Sequence, residues 1–289
     1  MLQDVTIDTI YLVTGITSRE FNNNVKDMFN MKRQFNYNEY KTTHTMNNDT
    51  VPYAIKYNPI DQYHRPNINK IMRSNWNIKI ELQHETLKNM PTNIKLLLQR
   101  YDWFINQVEI AYDFNTPISN HYSHISNGTK VKYKHETKDG NVIDYGQNYY
   151  IYANTSPQQA LIYDKKKQLQ QKYGNEITDN YRLRYEVTIN PKLNEQIPIH
   201  HLQFDWIDKY LDKFSFIPNM KELSVPSKYI SEMQKVMRRK AKSQRGIKFR
   251  NDIKQIVDIH GFDFVSTFHN NIDTLFDWIP RQNVNMEAN

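Results

Sequence analysis

The sequence has no cysteine. That excludes disulfide staples, thiolate nucleophiles and cysteine zinc sites, and it fits a reducing cytoplasm. Glycine is scarce, with seven in 289 residues, and none falls into a GxxxxGK[ST], GxGxxG or GxSxG pattern. A P-loop ATPase or helicase and a hydrolase nucleophile elbow are therefore not expected. No apolar run approaches the length of a membrane span, and residues 1–15 lack a basic stretch followed by an unbroken apolar one, so neither a signal peptide nor a membrane partner is expected. Acidic residues are the minority, 31 against 38 Lys and Arg, which leaves a net charge of +7 and a pI near 9.2.

That basic balance favours a polyanionic partner, nucleic acid before membrane. Hydrophobic residues make up 38% of the chain and the mean hydropathy is −0.81, a composition suited to a globular protein with one large domain or a catalytic domain plus an appendage. Asn, Lys, Ile and Tyr are used heavily, and tyrosine alone occurs 20 times. No internal repeat is visible.

Hydrophobic periodicity divides the chain. Residues 5–13 (VTIDTIYLV), 53–57, 76–83 (WNIKIELQ), 107–114 (QVEIAYDF), 160–163 and 181–189 (YRLRYEVTI) read as strands. Residues 130–135 and 142–152 flank Asp139-Gly140, a hairpin signal. Helices are expected at 21–29, at 91–104 behind Pro91, and at 165–173, stopped by Gly174. Beyond Pro198 the pattern becomes helical, at 202–214, 226–242, 247–259 and 262–279, with Ser224 or Ser227 as a cap for the second. The fold class expected is α+β: an antiparallel or mixed sheet with packed helices, then a helical C-terminal region. The boundary falls near 195–225, giving a sheet-based region of 1–200 and a helical, basic region of 201–289.

Period-two alternation assigns faces. In residues 107–114, Val108, Ile110, Tyr112 and Phe114 share one face, and Glu109, Ala111 and Asp113 the other. In residues 181–189, Tyr181, Leu183, Tyr185, Val187 and Ile189 share one face, and Arg182, Arg184, Glu186 and Thr188 the other. Glu109 and Asp113 are four apart, so they do not close a site alone; Glu186 on a neighbouring strand would lie beside one of them. A carboxylate cluster with a basic neighbour suits a hard divalent cation on a phosphate substrate. The same pattern also describes a solvated outer face with cross-strand ion pairs.

Residues 161–168 (LIYDKKKQ) place Tyr163 at a strand end, before Asp164 and Lys165, Lys166 and Lys167. A tyrosine hydroxyl can attack a phosphodiester, and adjacent cations both activate it and bind phosphate. Tyr163 as an ordinary core tyrosine is the competing reading. His200-His201 is a weak metal candidate, and His121 with His124 has ligand-like spacing within an expected loop. The strongest basic run is Lys235, Arg238, Arg239, Lys240, Lys242, Arg245, Lys248 and Arg250, across two expected helices and the turn at 243–246. That arrangement suits a helix-turn-helix-like DNA reader, or else a solvated basic face.

Three segments, VEIAYDF (108–114), YYIYANTSPQQALIYDKKKQ (149–168) and YRLRYEVTI (181–189), together with the opening TIDTIYL (6–12), resemble rolling-circle replication initiators of small plasmids and filamentous phages, related to phage gene II proteins and transfer-type plasmid Rep proteins. The order and spacing agree over roughly residues 5–190. The resemblance implies a sheet-based nickase domain, a metal-dependent DNA nicking-joining endonuclease. It implies Tyr163 as nucleophile with Lys165 in support. Glu109, Asp113 and Glu186 are its implied ligands for Mg²⁺ or Mn²⁺. The resemblance aligns Arg184 with a phosphate contact; Arg182 and Lys166 are expected to touch DNA beside the nick, and the basic run of Arg238, Arg239, Lys242, Arg245, Lys248 and Arg250 is expected from its charge to hold duplex. Implied partners are origin DNA, single-stranded at the nick, a host helicase and polymerase, and a second copy of the chain as an option. Ala153-Asn154 stands where relatives often have a Gly-Ser turn, and a second tyrosine, Tyr150 or Tyr152, is available for termination. The alternative is a non-catalytic, sequence-specific DNA-binding initiator or regulator of a mobile element.

Overall fold

The computed structural model describes residues 1–24, 32–35, 40–46, 53–59, 67, 77–123, 130–132, 135–136, 142–143, 148–151, 157–173, 183–238 and 247–279. In chain order, β1 (Leu2–Thr14) is followed by α1 (Ser18–Asn24), β2 (Lys32–Phe35), β3 (Tyr40–Met46), β4 (Tyr53–Pro59), β5 (Ile78–Gln83), α2 (His84–Lys88), α3 (Thr92–Arg100) and β6 (Phe104–Phe114). Then come β7 (Tyr122–Ser123), β8 (Lys130–Lys132), β9 (His135–Glu136), β10 (Val142–Ile143), β11 (Asn148–Ile151), β12 (Gln158–Tyr163), α4 (Lys165–Tyr173) and β13 (Leu183–Ile189). The remainder is α5 (Asp208–Leu211), β14 (Phe216–Ile217), α6 (Ser227–Arg238), α7 (Ile247–His260), α8 (Phe264–Asn270) and α9 (Ile272–Leu275). The fold is α+β, with antiparallel sheet and packed helices, as expected from the sequence.

The chain forms two compact units, each discontinuous in sequence. The first comprises Met1–Thr6, Ile110–Ile189 and Ile207–Asn271. The second comprises Ile7–Glu109, Asn190–Trp206 and Ile272–Asn289. These units cut the chain differently from a sheet region of 1–200 followed by a helical region of 201–289.

In the first unit the strand order is β6-β13-β12-β11-β8. β12 runs antiparallel to β13, with Tyr163 opposite Arg184 and Leu161 opposite Glu186. It also pairs with β11, with Tyr150 opposite Leu161. Alternation builds the core: Leu183, Tyr185, Val187 and Ile189 of β13 are all fully buried, as are Ile110, Tyr112 and Phe114 of β6. Residues beyond 200 cover that apolar face. Tyr112 meets Phe264 edge-on at 5.0 Å, Phe114 meets Phe262 at 5.0 Å, and Tyr185 meets Phe216 at 4.6 Å. Such edge-to-face packing adds about 0.5–1.5 kcal/mol per pair beyond area burial. The short β14 pairs with β7, and Phe262 donates its backbone N–H to the Phe216 carbonyl at 2.7 Å, which ties the stretch before α8 to the sheet layer.

In the second unit the order is β2-β3-β4-β5-β1, continued by the first half of β6. Ile78, Ile80 and Leu82 of β5, Ile10 and Leu12 of β1 and Ile55 of β4 are all fully buried. α3 buries Ile94, Leu97 and Leu98, and the Trp103 indole N–H donates to the Leu97 carbonyl at 3.1 Å.

Some elements differ from the sequence reading. The 91–104 helix ends at Arg100, because Tyr101 is extended and Phe104 opens β6. The expected 202–214 helix is mostly absent: Leu202 takes a left-handed conformation (φ 52°) that ends a short 3₁₀ turn, and only Asp208–Leu211 is α-helical. The expected 262–279 helix breaks into α8 and α9, with Asp263 capping the first by accepting from the Ser266 N–H at 2.9 Å. β2 and β3 went unread because they lie in an Asn-rich, polar stretch, yet Arg33 pairs opposite His44 and Thr43 opposite Lys56. β9 and β10 pair as expected for a hairpin, while Asp139-Gly140 lies outside the described residues. So do Trp76, the 25–29 end of the first helix, Tyr181 and residues beyond 238 in α6.

Candidate active site

The charged face of the first unit's sheet gathers several of the expected residues. β12 ends at Tyr163, and Asp164 then starts α4, its Oδ1 accepting the Lys167 N–H at 2.9 Å. This is an ordinary side-chain cap on the helix's unpaired N–H groups. It fixes Tyr163 as the last strand residue, with three lysines in the next turn.

The Tyr163 hydroxyl donates to Glu186 Oε2 at 3.3 Å. The two are diagonal neighbours: Tyr163 lies opposite Arg184, and Glu186 follows two residues along the same face. Arg184 reaches the other way. Its Nε donates to Asp113 Oδ1 at 2.8 Å and its Nη2 to Oδ2 at 2.6 Å, a bidentate pair. Both are buried: Arg184 exposes 7% of its surface and Asp113 3%. Tyr163 is 5% exposed, and Glu186 is half-buried. At Asp113, Arg184 and Tyr163 the face is thus packed and paired, while Glu186 and Thr188 further along β13 stay half-buried.

Lys165 places its Nζ 5.9 Å from the Tyr163 ring centroid and donates to Gln168 Oε1 at 3.1 Å. Lys166 is half-buried on α4. Tyr150 is half-buried on β11 and shares the Tyr163 face through its register with Leu161. Glu109 belongs to the second unit, where it accepts from Gln107 Nε2 at 2.7 Å. Burial raises its carboxyl above the ordinary carboxylate range, against the hydrogen bonds from Gln107 and Thr9. Arg182, Arg239, Lys242, Arg245, Tyr152 and His124 lie outside the described residues. The backbone of Arg238 is in α6, and that of Lys248 and Arg250 in α7.

The sequence allows cross-strand ion pairs on this face without naming Asp113 with Arg184; the signal for that pair is opposite charge on the polar faces of two strands. His121 was read as a loop residue, yet it is 2% exposed, shares an Nδ1 hydrogen bond with the Ile118 carbonyl, and packs edge-on against Tyr149 at 4.9 Å. Burial lowers its pKa to about 4.

A divalent cation is implied by the sequence resemblance, and the acids present can be tested for fit. Among the described residues no group of three His, Asp or Glu side chains comes together as a metal cage. Asp113 spends both carboxylate oxygens on a guanidinium. A cation there would displace Arg184 and take from its buried guanidinium the carboxylate that holds it bidentately. The expected trio of Glu109, Asp113 and Glu186 therefore does not fit a metal in this arrangement. Among the described residues, two grooves lie away from these acids, one in each unit. A groove of about 730 Å³ is bounded by Leu202, Phe204, Phe276 and Trp278, and one of about 310 Å³ by Phe214, Gly261 and Phe264.

The site is thus a tyrosine–carboxylate pair at a strand-to-helix junction, backed by a buried ion pair and followed by a lysine-rich helix start. No family model matches the chain, and no curated protein does either. Among solved structures the chain is similar to a rolling circle replication initiator protein from Geobacillus stearothermophilus, at 13% sequence identity and a TM-score of 0.43, over 81% of this chain and 97% of that one. Among the described residues no helix is long and apolar enough to cross a membrane.

Proposed function

We propose that the chain is a rolling-circle DNA replication initiator that nicks single-stranded or extruded origin DNA through Tyr163, leaving a 5′-phosphotyrosine and a free 3′-hydroxyl. The observation that carries this reading is the Tyr163 hydroxyl held on Glu186 at 3.3 Å, at the end of β12 and one turn ahead of three lysines. The resemblance of residues 108–114, 149–168 and 181–189 to rolling-circle initiators supports it independently of that geometry.

In the proposed step, Tyr163 Oη gives its proton to Glu186 Oε2 and supplies the electron pair for a new oxygen–phosphorus bond; Glu186 then returns the proton to solvent. The bond from phosphorus to the 3′-oxygen breaks, and that oxygen leaves with the pair and takes a proton from water. A tyrosine hydroxyl is a weak nucleophile at neutral pH because its pKa is about 10. A carboxylate on its proton and cations beside the phosphate both lower that barrier. Glu186 serves the first role, and Lys165 and Lys166 the second. No step runs through a metal, and dependence on Mg²⁺ or Mn²⁺ is read by running the same reaction with each ion and with a chelator. A host helicase and polymerase would then act on the exposed 3′ end, and the basic segment around Arg238 to Arg250 would hold nearby duplex.

One observation favours the alternative of a non-catalytic, sequence-specific DNA-binding initiator: Tyr163 is only 5% exposed. The two readings separate on a denaturing gel after incubation with Mn²⁺ and single-stranded oligonucleotides tiled across the element that encodes the protein. The nickase gives a covalent adduct that Tyr163→Phe abolishes. Duplex binding without any adduct supports the alternative.

A further inference from the structure

Across three neighbouring strands of the first unit, Asp113 (β6), Arg184 (β13) and Tyr163 (β12) form a row on one face, and Glu186 stands two residues from Arg184 along β13. Residues two apart on a strand face are about 7 Å from each other, within reach of a guanidinium on its flexible stem. Glu186 is therefore the next carboxylate available to Arg184 on the face of its own strand. It is also the carboxylate that receives the Tyr163 hydroxyl. An arginine between two acids goes to the one with the better bidentate geometry, and here that is Asp113, at 2.8 and 2.6 Å.

We propose that Asp113 is a positioning residue that holds Arg184 away from Glu186, so that the Glu186 carboxylate stays on the Tyr163 hydroxyl, and that Asp113 is not a metal ligand. This rests on the reading of Tyr163 as the nucleophile. The role explains why both partners of the pair are buried rather than turned out toward a ligand. An arginine, unlike a lysine, gives Asp113 two parallel N–H donors at once, which fixes the direction of the guanidinium.

The test uses the full chain with Asp113→Asn, and Asp113→Asn combined with Arg184→Met. The single variant keeps the shape of Asp113 but releases the guanidinium toward Glu186. The double variant removes the competitor, and in this proposal Arg184, 7% exposed and held on Asp113, is not a DNA contact. The expected result is that Asp113→Asn forms the covalent adduct about 10- to 100-fold more slowly, the effect of a misplaced reacting group, with oligonucleotide affinity unchanged. The double variant recovers most of that loss, and half-saturating Mn²⁺ is the same in all three proteins. A role limited to holding the fold would lower the melting midpoint without this rescue. If Asp113→Asn does not fold, the double variant alone decides: near-parental adduct formation supports the proposal, and loss overturns it. A rise in half-saturating Mn²⁺ of about tenfold or more in both variants, without rescue, would make Asp113 a ligand and sink the idea.

Two readouts need no turnover. Mn²⁺ binding followed by electron paramagnetic resonance should be equal in parent and Asp113→Asn. The ¹³Cζ resonance of Tyr163 should shift in the single variant and return in the double. If the parent protein forms no adduct, the functional reading fails, while these two measurements still decide what Asp113 does.

Discussion

The two faces of β13 and its neighbour β6 are held by opposite physics in the first unit, the apolar one fully buried and the charged one buried at Asp113 and Arg184 but only half-buried at Glu186. On one face, Tyr112, Phe114 and Tyr185 meet Phe216, Phe262 and Phe264 edge to edge. On the other, Asp113, Arg184, Glu186 and Tyr163 meet one another through charge and hydrogen bonds. Burying aromatic surface is favourable with any well-fitting neighbour, so that face tolerates swaps that conserve volume. Burying a charge is favourable only with its specific partner in place, so the charged face tolerates almost no single loss. An arrangement that costs more to keep, on a face that aromatic residues could have filled, is where chemistry is expected.

The contrast breaks most sharply at Tyr163. Tyr163→Phe removes one oxygen and should lower adduct formation by at least about 10³-fold, since no other group supplies the attacking atom. The fold should persist, as checked by the melting midpoint. Next in size is Arg184→Met alone, which leaves Asp113 buried without a partner and should cost about 3–5 kcal/mol in urea unfolding. Replacing both by Arg184→Met with Asp113→Leu should restore most of that stability, because an apolar pair needs no partner. On the aromatic face, Phe216→Ala should cost a similar 3–5 kcal/mol or so by opening a cavity, but Phe216→Leu only about 1.5 kcal/mol or less. A large rescue by the apolar pair on one face and a mild effect of the leucine swap on the other would sharpen the contrast. Equal tolerance of single losses on both faces would break it.

A smaller effect is read by pH. Burial keeps the His121 imidazole neutral, with its pKa lowered to about 4, whereas an unfolded histidine titrates near 6.5 or so. The unfolded chain therefore takes up a proton at this residue before the folded one does. The stabilising contribution is complete above about pH 6.5 and is lost progressively as pH falls toward 4, by about 3 kcal/mol in all. Urea midpoints at pH 7 and pH 4.5 should lie closer together in His121→Gln than in the parent. Smallest of all, Asp263→Ala removes the cap on α8 and should cost about 1 kcal/mol in the same assay.

Much of this was legible in alternation. Residues 107–114 and 183–189 declared their two faces correctly, because a strand buried on one side writes period two into its sequence. The strand-to-helix turn at Tyr163 and Asp164 was equally plain from the apolar stretch that gives way to lysines. What alternation does not carry is depth. It marks Asp113 and Arg184 as belonging to the polar face without saying that this face is covered, so a buried bidentate pair reads like a solvated one. Register carries the rest: the Tyr163–Glu186 contact depends on β12 lying opposite β13 with Leu161 facing Glu186, a long-range pairing that no local pattern states. The helical reading of 202–214 failed, and that of 262–279 broke in two, for a different reason. Aromatic residues there recur at near-helical spacing, but Phe214, Phe216 and Phe262 serve the sheet's apolar face from turns and a two-residue strand, and Phe264 from the first turn of α8. β2 and β3 escaped notice because their stretch is polar and rich in asparagine.

The account turns on which atom becomes bonded to DNA. The most direct measurement is to incubate the protein with a 5′-labelled and a 3′-labelled version of its nicked oligonucleotide, digest the adduct with trypsin, and locate the modified residue by mass spectrometry. The account predicts that label from the 3′ side of the break, and only that label, stays on a peptide containing Tyr163, through a phosphate on its phenol oxygen. A nucleotide carried by another tyrosine such as Tyr150, or cleaved DNA with no residue modified, would contradict it.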